Sequence, residues 1–179
     1  MKTAVPTAVV IGVGNEYRRD DGIGPALVAA LEDHSLPGVR LVVSDGEPAR
    51  LMDDWAAVPL AVVVDAVVCE PAAPGEIHRT DVSLRKPADP VVETHAHSAG
   101  SHSLGIPDAL RLAAALDRLP GRLLVFAVEA ADVGFGTELT TPVAAALPRL
   151  VEAVLGELLA NTTERGKPTA ATAAGRDVR

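Results

Sequence analysis

The sequence is short of aromatic side chains, of cysteine and of positive charge, and each shortage narrows what the protein can be. Aromatic residues make up only 2% of the 179 residues. A core therefore has to be built from Val, Leu, Ile and Ala, as in a Val-rich sheet covered by Ala- and Leu-rich helices. The single cysteine, Cys69, excludes an internal disulfide and a metal centre made of several thiolates. Because a lone thiol is typical of a reducing compartment, we expect a cytoplasmic protein.

The charge and the length of the apolar runs argue against two classes of partner. The net charge is −8, whereas a surface that binds nucleic acid needs clustered Lys and Arg. No apolar run approaches the roughly 20 residues of a membrane span, and the first residues lack the apolar region of a signal peptide. We expect a soluble monomer with no nucleic-acid or membrane partner.

The sequence does contain an alternation of apolar runs and helical patterns that is typical of an α/β fold. We predict a three-layer sandwich, with a mostly parallel twisted sheet, helices on both faces and one possible antiparallel edge strand. The predicted strands are Ala8–Val13, Val39–Ser44, Leu60–Val64, Glu76–Arg79 (the edge strand) and Leu123–Val128, and the predicted helices are Ile23–Glu32, Arg50–Ala56, Ser103–Leu116 and one that begins at Thr141. Residues 1–161 are predicted to form a single domain, and residues 162–179, which are polar and aperiodic, a disordered tail.

The stretch AVVIGVGNEYRRDDGIG near the N-terminus is a buried strand that runs into a glycine turn, a charged loop and a helix. Gly12 and Gly14 fit half of a dinucleotide-binding fingerprint. Tyr17 stands where that fingerprint needs a small residue, and two carboxylates beside the helix N-terminus would repel a phosphate. In a second interpretation, the glycines merely form a tight turn and Asp20 or Asp21 caps the helix.

Polar side chains follow the first three predicted strands, and a histidine precedes a later helix. Asn15, Asp45 and Asp65 come after the strands, and His102 comes just before the helix. In open α/β sheets, ligands bind at the carboxyl ends of the strands. Together with Asp21, these residues place two carboxylates and an imidazole around one crevice, a set that suits Ni²⁺, Zn²⁺, Mn²⁺ or Fe²⁺. Taken singly, Asp65 can also start a turn and His102 can cap a helix.

Five motifs, in order along the chain, resemble those of a known enzyme family. They are GVGNEYRRDDGIG (Gly12–Gly24), SDGEPA (Ser44–Ala49), VVDAV (Val63–Val67), SHSLGIPDAL (Ser101–Leu110) and GTELTTPVAAAL (Gly136–Leu147). In this order they resemble the hydrogenase maturation endopeptidases, the proteases that finish the large subunit of nickel-iron hydrogenases. The resemblance spans about Val9 to Leu158 and leaves the tail outside it.

The resemblance implies a three-layer α/β protease that removes a short C-terminal extension from the large-subunit precursor after nickel has been inserted. In the family a carboxylate in the first loop, an aspartate after the third strand and a histidine before a later helix bind the metal. By motif, these are Asp21, Asp65 and His102, which we expect to be both the metal ligands and the catalytic residues. The nickel is expected to arrive on the substrate rather than to reside in the enzyme.

Asn15 and Asp45 are expected to bind substrate. Asp45 matches the aspartate of a family motif written DGGT, and this chain has Glu47 and Pro48 where the motif has its second glycine and its threonine. That departure leaves open whether Asp45 shapes the substrate groove. His95 and His97 fall outside the family pattern, and we interpret them as loop histidines.

Several alternatives stay open at this point. Nickel can serve as a recognition tag or as a catalyst. A serine or cysteine mechanism is disfavoured, since Cys69 has no adjacent histidine to activate it. The alternatives to a hydrogenase-specific endopeptidase are a non-catalytic metal- or nucleotide-binding α/β module, and a general metallopeptidase that would cut an unfolded peptide without nickel.

Overall fold

A computed structural model describes residues 6–82, 84 and 105–166, with the side chains of residues 164–166 left undescribed. The strands are β1 (Ala8–Val13), β2 (Val39–Ser44), β3 (Leu60–Val67), β4 (Ile77–Val82) and β5 (Arg122–Glu129). The helices are α1 (Ile23–Glu32), α2 (Pro48–Trp55), α3 (Ile106–Ala115) and α4 (Thr141–Gly166), and a 3₁₀ turn, Arg19–Gly22, precedes α1. In this part of the chain, no helix combines the length and apolar character that crossing a bilayer demands.

The strands form one five-stranded sheet in the order β2-β1-β3-β5-β4. β2, β1, β3 and β5 run parallel, whereas β4 pairs antiparallel with β5 at the edge. The mostly parallel sheet and its antiparallel edge strand are therefore confirmed. β3 continues three residues beyond its predicted end at Val64 and carries Asp65 within it, because a carboxylate on one face does not interrupt pairing with β5.

The sheet is covered on both faces, which confirms the three-layer sandwich. Alternate residues of the central strands pack into two separate cores. One core joins Val10 and Val62 to α1 and α4. The other joins Val9 and Val63 to α2 and α3 and encloses Trp55, which is fully buried. Since side chains alternate along a strand, Asp65 projects to the same face as Val63.

The final helix is longer than the sequence pattern indicates. α4 continues to Gly166, so residues 162–166, which we predicted to be disordered, are helical. The hydroxyl groups of Thr162 and Thr163 donate to the carbonyl oxygens of Leu158 and Leu159, each at 3.0 Å. These bonds satisfy the hydroxyl groups of the two threonines within the helix. Residues 167–179 lie outside the described residues.

The strand order reverses between β1 and β3. The chain passes from β1 to β2 on one side and then returns to place β3 on the other side of β1. In open α/β sheets a crevice forms at such a reversal, beyond the carboxyl ends of the two strands. The loop after β1 and the end of β3 meet at this crevice, which makes it the place to look for a site.

Candidate active site

Two glycines let the loop after β1 fold back tightly on the strand. Gly14 has a φ of +130°, and a Cβ there would lie 1.9 Å from the carbonyl oxygen of Asp21. A Cβ on Gly12 would lie 2.2 Å from the carbonyl oxygen of Gly24. The space beside both glycines is thus filled by the protein's own backbone rather than left for a pyrophosphate. This packing argues against the dinucleotide interpretation and places Asp21 over the end of β1.

Asp21 is held in place by the backbone of the same loop. Its Oδ2 accepts a hydrogen bond from the amide of Asn15 at 3.0 Å. The Asn15 side chain in turn accepts from the amide of Tyr17 at 2.9 Å, a local turn that asparagine readily makes. Asn15 is exposed and Asp21 is half-buried. The carboxylate of Asp21 is therefore oriented by the loop and still accessible.

Asp20 has a structural role that the sequence did not reveal. It is fully buried and accepts from the amides of Ala131, Asp132 and Thr140 at 2.8, 3.0 and 2.7 Å, and from the Thr140 hydroxyl at 2.9 Å. This carboxylate ties the 3₁₀ turn to the β5–α4 connection. The prediction that Asp20 or Asp21 caps α1 was wrong, because Gly22 occupies the N-cap without a side-chain bond.

Asp65 is a buried carboxyl group with an unfilled acceptor. It is 3% exposed, and its Oδ1 has no hydrogen-bond partner. Burial raises the pKa of Asp65 to about 8; the backbone amide of Ala66 lowers it, and the negative charge of nearby Asp21 raises it further. Without a cation beside it, this group is therefore largely protonated at neutral pH. A cation would fill the empty acceptor and favour the ionised form.

The raised pKa of Asp65 predicts a pH-dependent stability. Between pH 3.8 and about 8, Asp65 is ionised in the unfolded chain and protonated in the folded chain. The unfolded chain therefore binds fewer protons, and stability falls as pH rises, by up to about 1.4 kcal/mol per pH unit. We expect Asp65→Asn to remove this slope, so that the variant matches the parent at pH 4 and is more stable at pH 7. Urea unfolding at several pH values, in the presence of a chelator, measures the free energy of unfolding of both chains. The same dependence of this free energy on pH in the variant and the parent would contradict the prediction.

A groove lies between the first loop with α1 and the end of β2. Its volume is about 590 Å³, and Asn15, Tyr17 and Asp45 are among the residues that line it. Asp45 is exposed, and its Oδ1 accepts from the amide of Glu47 at 3.3 Å. The two residues predicted to bind substrate thus share one open groove.

The departure from the DGGT motif has a local explanation. Glu47 is the N-cap of α2, and its carboxylate accepts from the amides of Ala49 and Arg50 at 3.2 and 2.9 Å. Pro48 occupies the first helical position, where its missing N–H costs nothing. These two residues make α2 begin two residues earlier than the predicted Arg50, and they leave Asp45 in the groove.

The structure brings together Asp21 and Asp65 at the strand reversal and places Asn15 and Asp45 in the adjacent groove. His102, like His95 and His97, lies outside the described residues. The described residues resume at Gly105. Its φ is +55°, and a Cβ there would lie 2.3 Å from the carbonyl oxygen of Gly46. The start of α3 is therefore anchored next to the segment that carries Asp45.

Comparisons with known proteins agree on one family. The family model described as HycI, hydrogenase maturation protease, matches residues 25–157, a range that includes Asp65 and His102 and begins just after Asp21. The hydrogenase 2 maturation protease of Escherichia coli K12 is 30% identical over 152 residues, which is 84% of this chain and 89% of that protein. The hydrogenase expression/formation protein HupM of Azotobacter chroococcum mcd 1 is 32% identical over 171 residues, 93% of this chain and 76% of that protein.

Solved structures show the same similarity. The hydrogenase maturating endopeptidase HybD from E. coli superposes with a TM-score of 0.71 at 28% identity, and covers 89% of this chain and 93% of its own. The [NiFe] hydrogenase maturation protease HybD from Thermococcus kodakarensis gives a TM-score of 0.66 at 22% identity, with 84% and 98% coverage. At that identity the second comparison supports the fold alone.

Proposed function

Because this chain belongs to the hydrogenase maturation protease family, we propose that it cuts the precursor of a nickel-iron hydrogenase large subunit and removes its C-terminal extension after nickel has been inserted. Family membership makes the chain a hydrolase of the endopeptidase type. We also place the enzyme in the cytoplasm, as a monomer, where a single cysteine stays reduced.

The observation that carries the proposal is the unpartnered oxygen of Asp65. A buried carboxylate oxygen without a hydrogen-bond donor costs stability unless something positive binds it. Two other buried side-chain atoms lack a partner among the described residues, on Asp54 and Trp55, but both belong to α2. Only Asp65 lies at the strand reversal next to a second carboxylate, that of Asp21. Oxygen donors in this arrangement suit a divalent transition-metal ion.

We assign His102 as the third ligand of the same ion. Gly105 is anchored against Gly46 at the edge of the sheet where Asp45 lies. His102 precedes Gly105 by three residues, a stretch of chain that spans at most about 10 Å. An imidazole supplied from this position would complete a ligand set of two carboxylates and one histidine, which suits nickel and leaves positions open for the substrate's own ligands.

In this proposal nickel enters the site as part of the substrate and serves for recognition. A precursor that lacks nickel has no charge to satisfy Asp65 and Asp21, so it is held weakly. When bound, nickel also supplies a Lewis acid that can polarise a carbonyl group. Asp65, whose pKa is about 8 in the free enzyme, can hold a proton at neutral pH and release it when the cation binds, and Asp21 is accessible enough to exchange protons with substrate or water.

The groove is the proposed path for the precursor, and Asn15, which lines it, is hydrogen-bonded through its amide to Asp21. Asn15 and Asp45 offer polar contacts in it. Tyr17 is 63% exposed, and Phe135 is 94% exposed on the β5–α4 connection. The two rings belong to segments that are joined by a bond of 3.0 Å from the amide of Gly136 to the carbonyl oxygen of Tyr17. In a chain with so few aromatic residues, one exposed ring that lines the groove and a second on the segment bonded to it favour contact with a folded protein partner.

The experiment that tests the function is cleavage of a purified, nickel-loaded large-subunit precursor, followed by intact-protein mass spectrometry. We expect a single mass loss that corresponds to a C-terminal peptide. An unfolded peptide with the same cleavage sequence and no nickel serves as the control. Equal cleavage of that peptide would indicate a general metallopeptidase, and metal binding without any processing would indicate a non-catalytic module.

A further inference from the structure

A second group of metal-binding side chains lies at the edge of the sheet formed by β4 and β5. One ligand atom each from Glu76, His78 and Glu129 lies within 4.8 Å of the other two. Glu129 ends β5, and its amide donates to the carbonyl oxygen of Glu76 at 2.9 Å. His78 Nε2 is 2.7 Å from Glu129 Oε1. The antiparallel pairing of the two strands therefore assembles two carboxylates and an imidazole.

The negative charges of this group favour the binding of a cation. Glu129 is 6% exposed, and one of its oxygens already accepts from the amide of Ala73 at 2.6 Å. Glu76, directly across the ladder, brings a second negative charge to the same place, and like charges that face each other across a strand pair are destabilising. His78 can supply at most one positive charge. An ion of charge two would balance the group.

The geometry also suits an ion with nitrogen and oxygen ligands. Two donors at about 2.1 Å from one ion are about 3.0 to 4.2 Å apart, depending on the angle between them. The separations of up to 4.8 Å thus need only small side-chain rotations, and Glu76 and His78 are exposed enough to make them. Cys69 is half-buried and lies near Glu129, so a thiol is available beside the group.

We propose that Glu76, His78 and Glu129 form a binding site for a divalent transition-metal ion of the Ni²⁺ and Zn²⁺ class, with the Cys69 sulfur as a further donor. Imidazole, carboxylate and thiolate together are a set that such ions prefer over Mg²⁺ or Ca²⁺. The site is separate from the one at the strand reversal, since it lies on β4 and β5 whereas Asp21 and Asp65 belong to the β1 loop and β3.

Calorimetric titration with Ni²⁺ alone tests the site in the full-length chain. The parent for the test carries Asp65→Asn and His102→Ala, which remove two of the three ligands proposed at the strand reversal and leave Asp21 alone there. We expect this parent to bind one ion through the second site. Glu76→Gln and His78→Gln, added singly, should weaken that binding at least tenfold. Both replacements can keep the local packing, because a glutamine amide in place of the His78 ring can still donate to Glu129 and the Glu76 side chain is exposed.

His34→Gln, at an exposed histidine just after α1, is the matched control and should leave the affinity unchanged. Alkylation of Cys69, the only thiol, gives a measurement that needs no variant: Ni²⁺ should slow it in the wild-type chain. Absence of Ni²⁺ binding in the parent, an affinity unchanged by both substitutions, or an alkylation rate that Ni²⁺ does not alter would overturn the proposal.

Discussion

Asp65→Asn and Asp21→Asn are each expected to abolish cleavage of the nickel-loaded precursor, with a loss of about 10² to 10⁴-fold, the range seen when a positioned acid or base is removed. Asparagine has the volume of aspartate but carries no negative charge and cannot exchange a proton. In Asp21→Asn, the side-chain oxygen can still accept from the Asn15 amide, so the loop should keep its shape. The loss would then reflect chemistry and metal binding rather than unfolding.

The cleavage rate, followed as the mass loss of the precursor, is the measurement for both variants. Asp33→Asn, at an exposed residue just after α1, is the control for loss of one negative charge. His102→Ala should be as inactive as the two aspartate variants, while His97→Ala, a histidine that we do not place in the site, should remain active. Complete processing of the precursor by Asp21→Asn, Asp65→Asn or His102→Ala would show that the replaced residue is not part of the site.

Asp20→Ala is expected to lower the free energy of unfolding by about 3 to 5 kcal/mol, because it removes a buried carboxylate that accepts four hydrogen bonds. The substitution leaves the amides of Ala131, Asp132 and Thr140 without their acceptor in a partly buried place. Urea denaturation, with the midpoint and slope compared to wild type, measures the change. Asp33→Ala, which removes an exposed carboxylate, should change stability by less than about 0.5 kcal/mol.

The same substitution tests how the site is held in place. Asp20 fixes the 3₁₀ turn to the β5–α4 connection, and Asp21 follows it directly. If a folded fraction of Asp20→Ala is isolated, we expect it to cleave more slowly, because the Asp21 carboxylate is no longer fixed. A loss of stability below about 1 kcal/mol would mean that water replaces the carboxylate and that the turn does not depend on Asp20.

Most of the scaffold could be predicted because apolar patterning dictates it. The bounds of β1, β2 and α1 match the predicted ones, since β1 is a continuous apolar run, β2 is a mostly apolar run between Gly38 and Asp45, and α1 follows a helical pattern. The end of β3 could not be predicted, because Asp65 interrupts the apolar run while its backbone continues to pair with β5. The last turns of α4 could not be predicted either, because residues 162–166 are polar and lack an apolar periodicity.

Part of the candidate site could likewise be predicted from the sequence, and part could not. That Asp21 and Asp65 lie near each other could be predicted, because the ends of parallel strands meet at one edge; their role as ligands stays a prediction. The role of Asp20 could not be predicted, since its partners lie more than 100 residues away in the chain and nothing local distinguishes it from Asp21. The group of Glu76, His78 and Glu129 likewise exists only through the antiparallel pairing of β4 with β5.

The central claim is that the enzyme recognises nickel held by its substrate through the carboxylates at the strand reversal. The most direct test is to compare cleavage of one purified precursor with and without nickel by the wild-type enzyme, with intact mass as the measurement. We predict that the nickel-loaded precursor loses its C-terminal peptide and that the nickel-free precursor remains uncut. Equal processing of the two forms would contradict the claim.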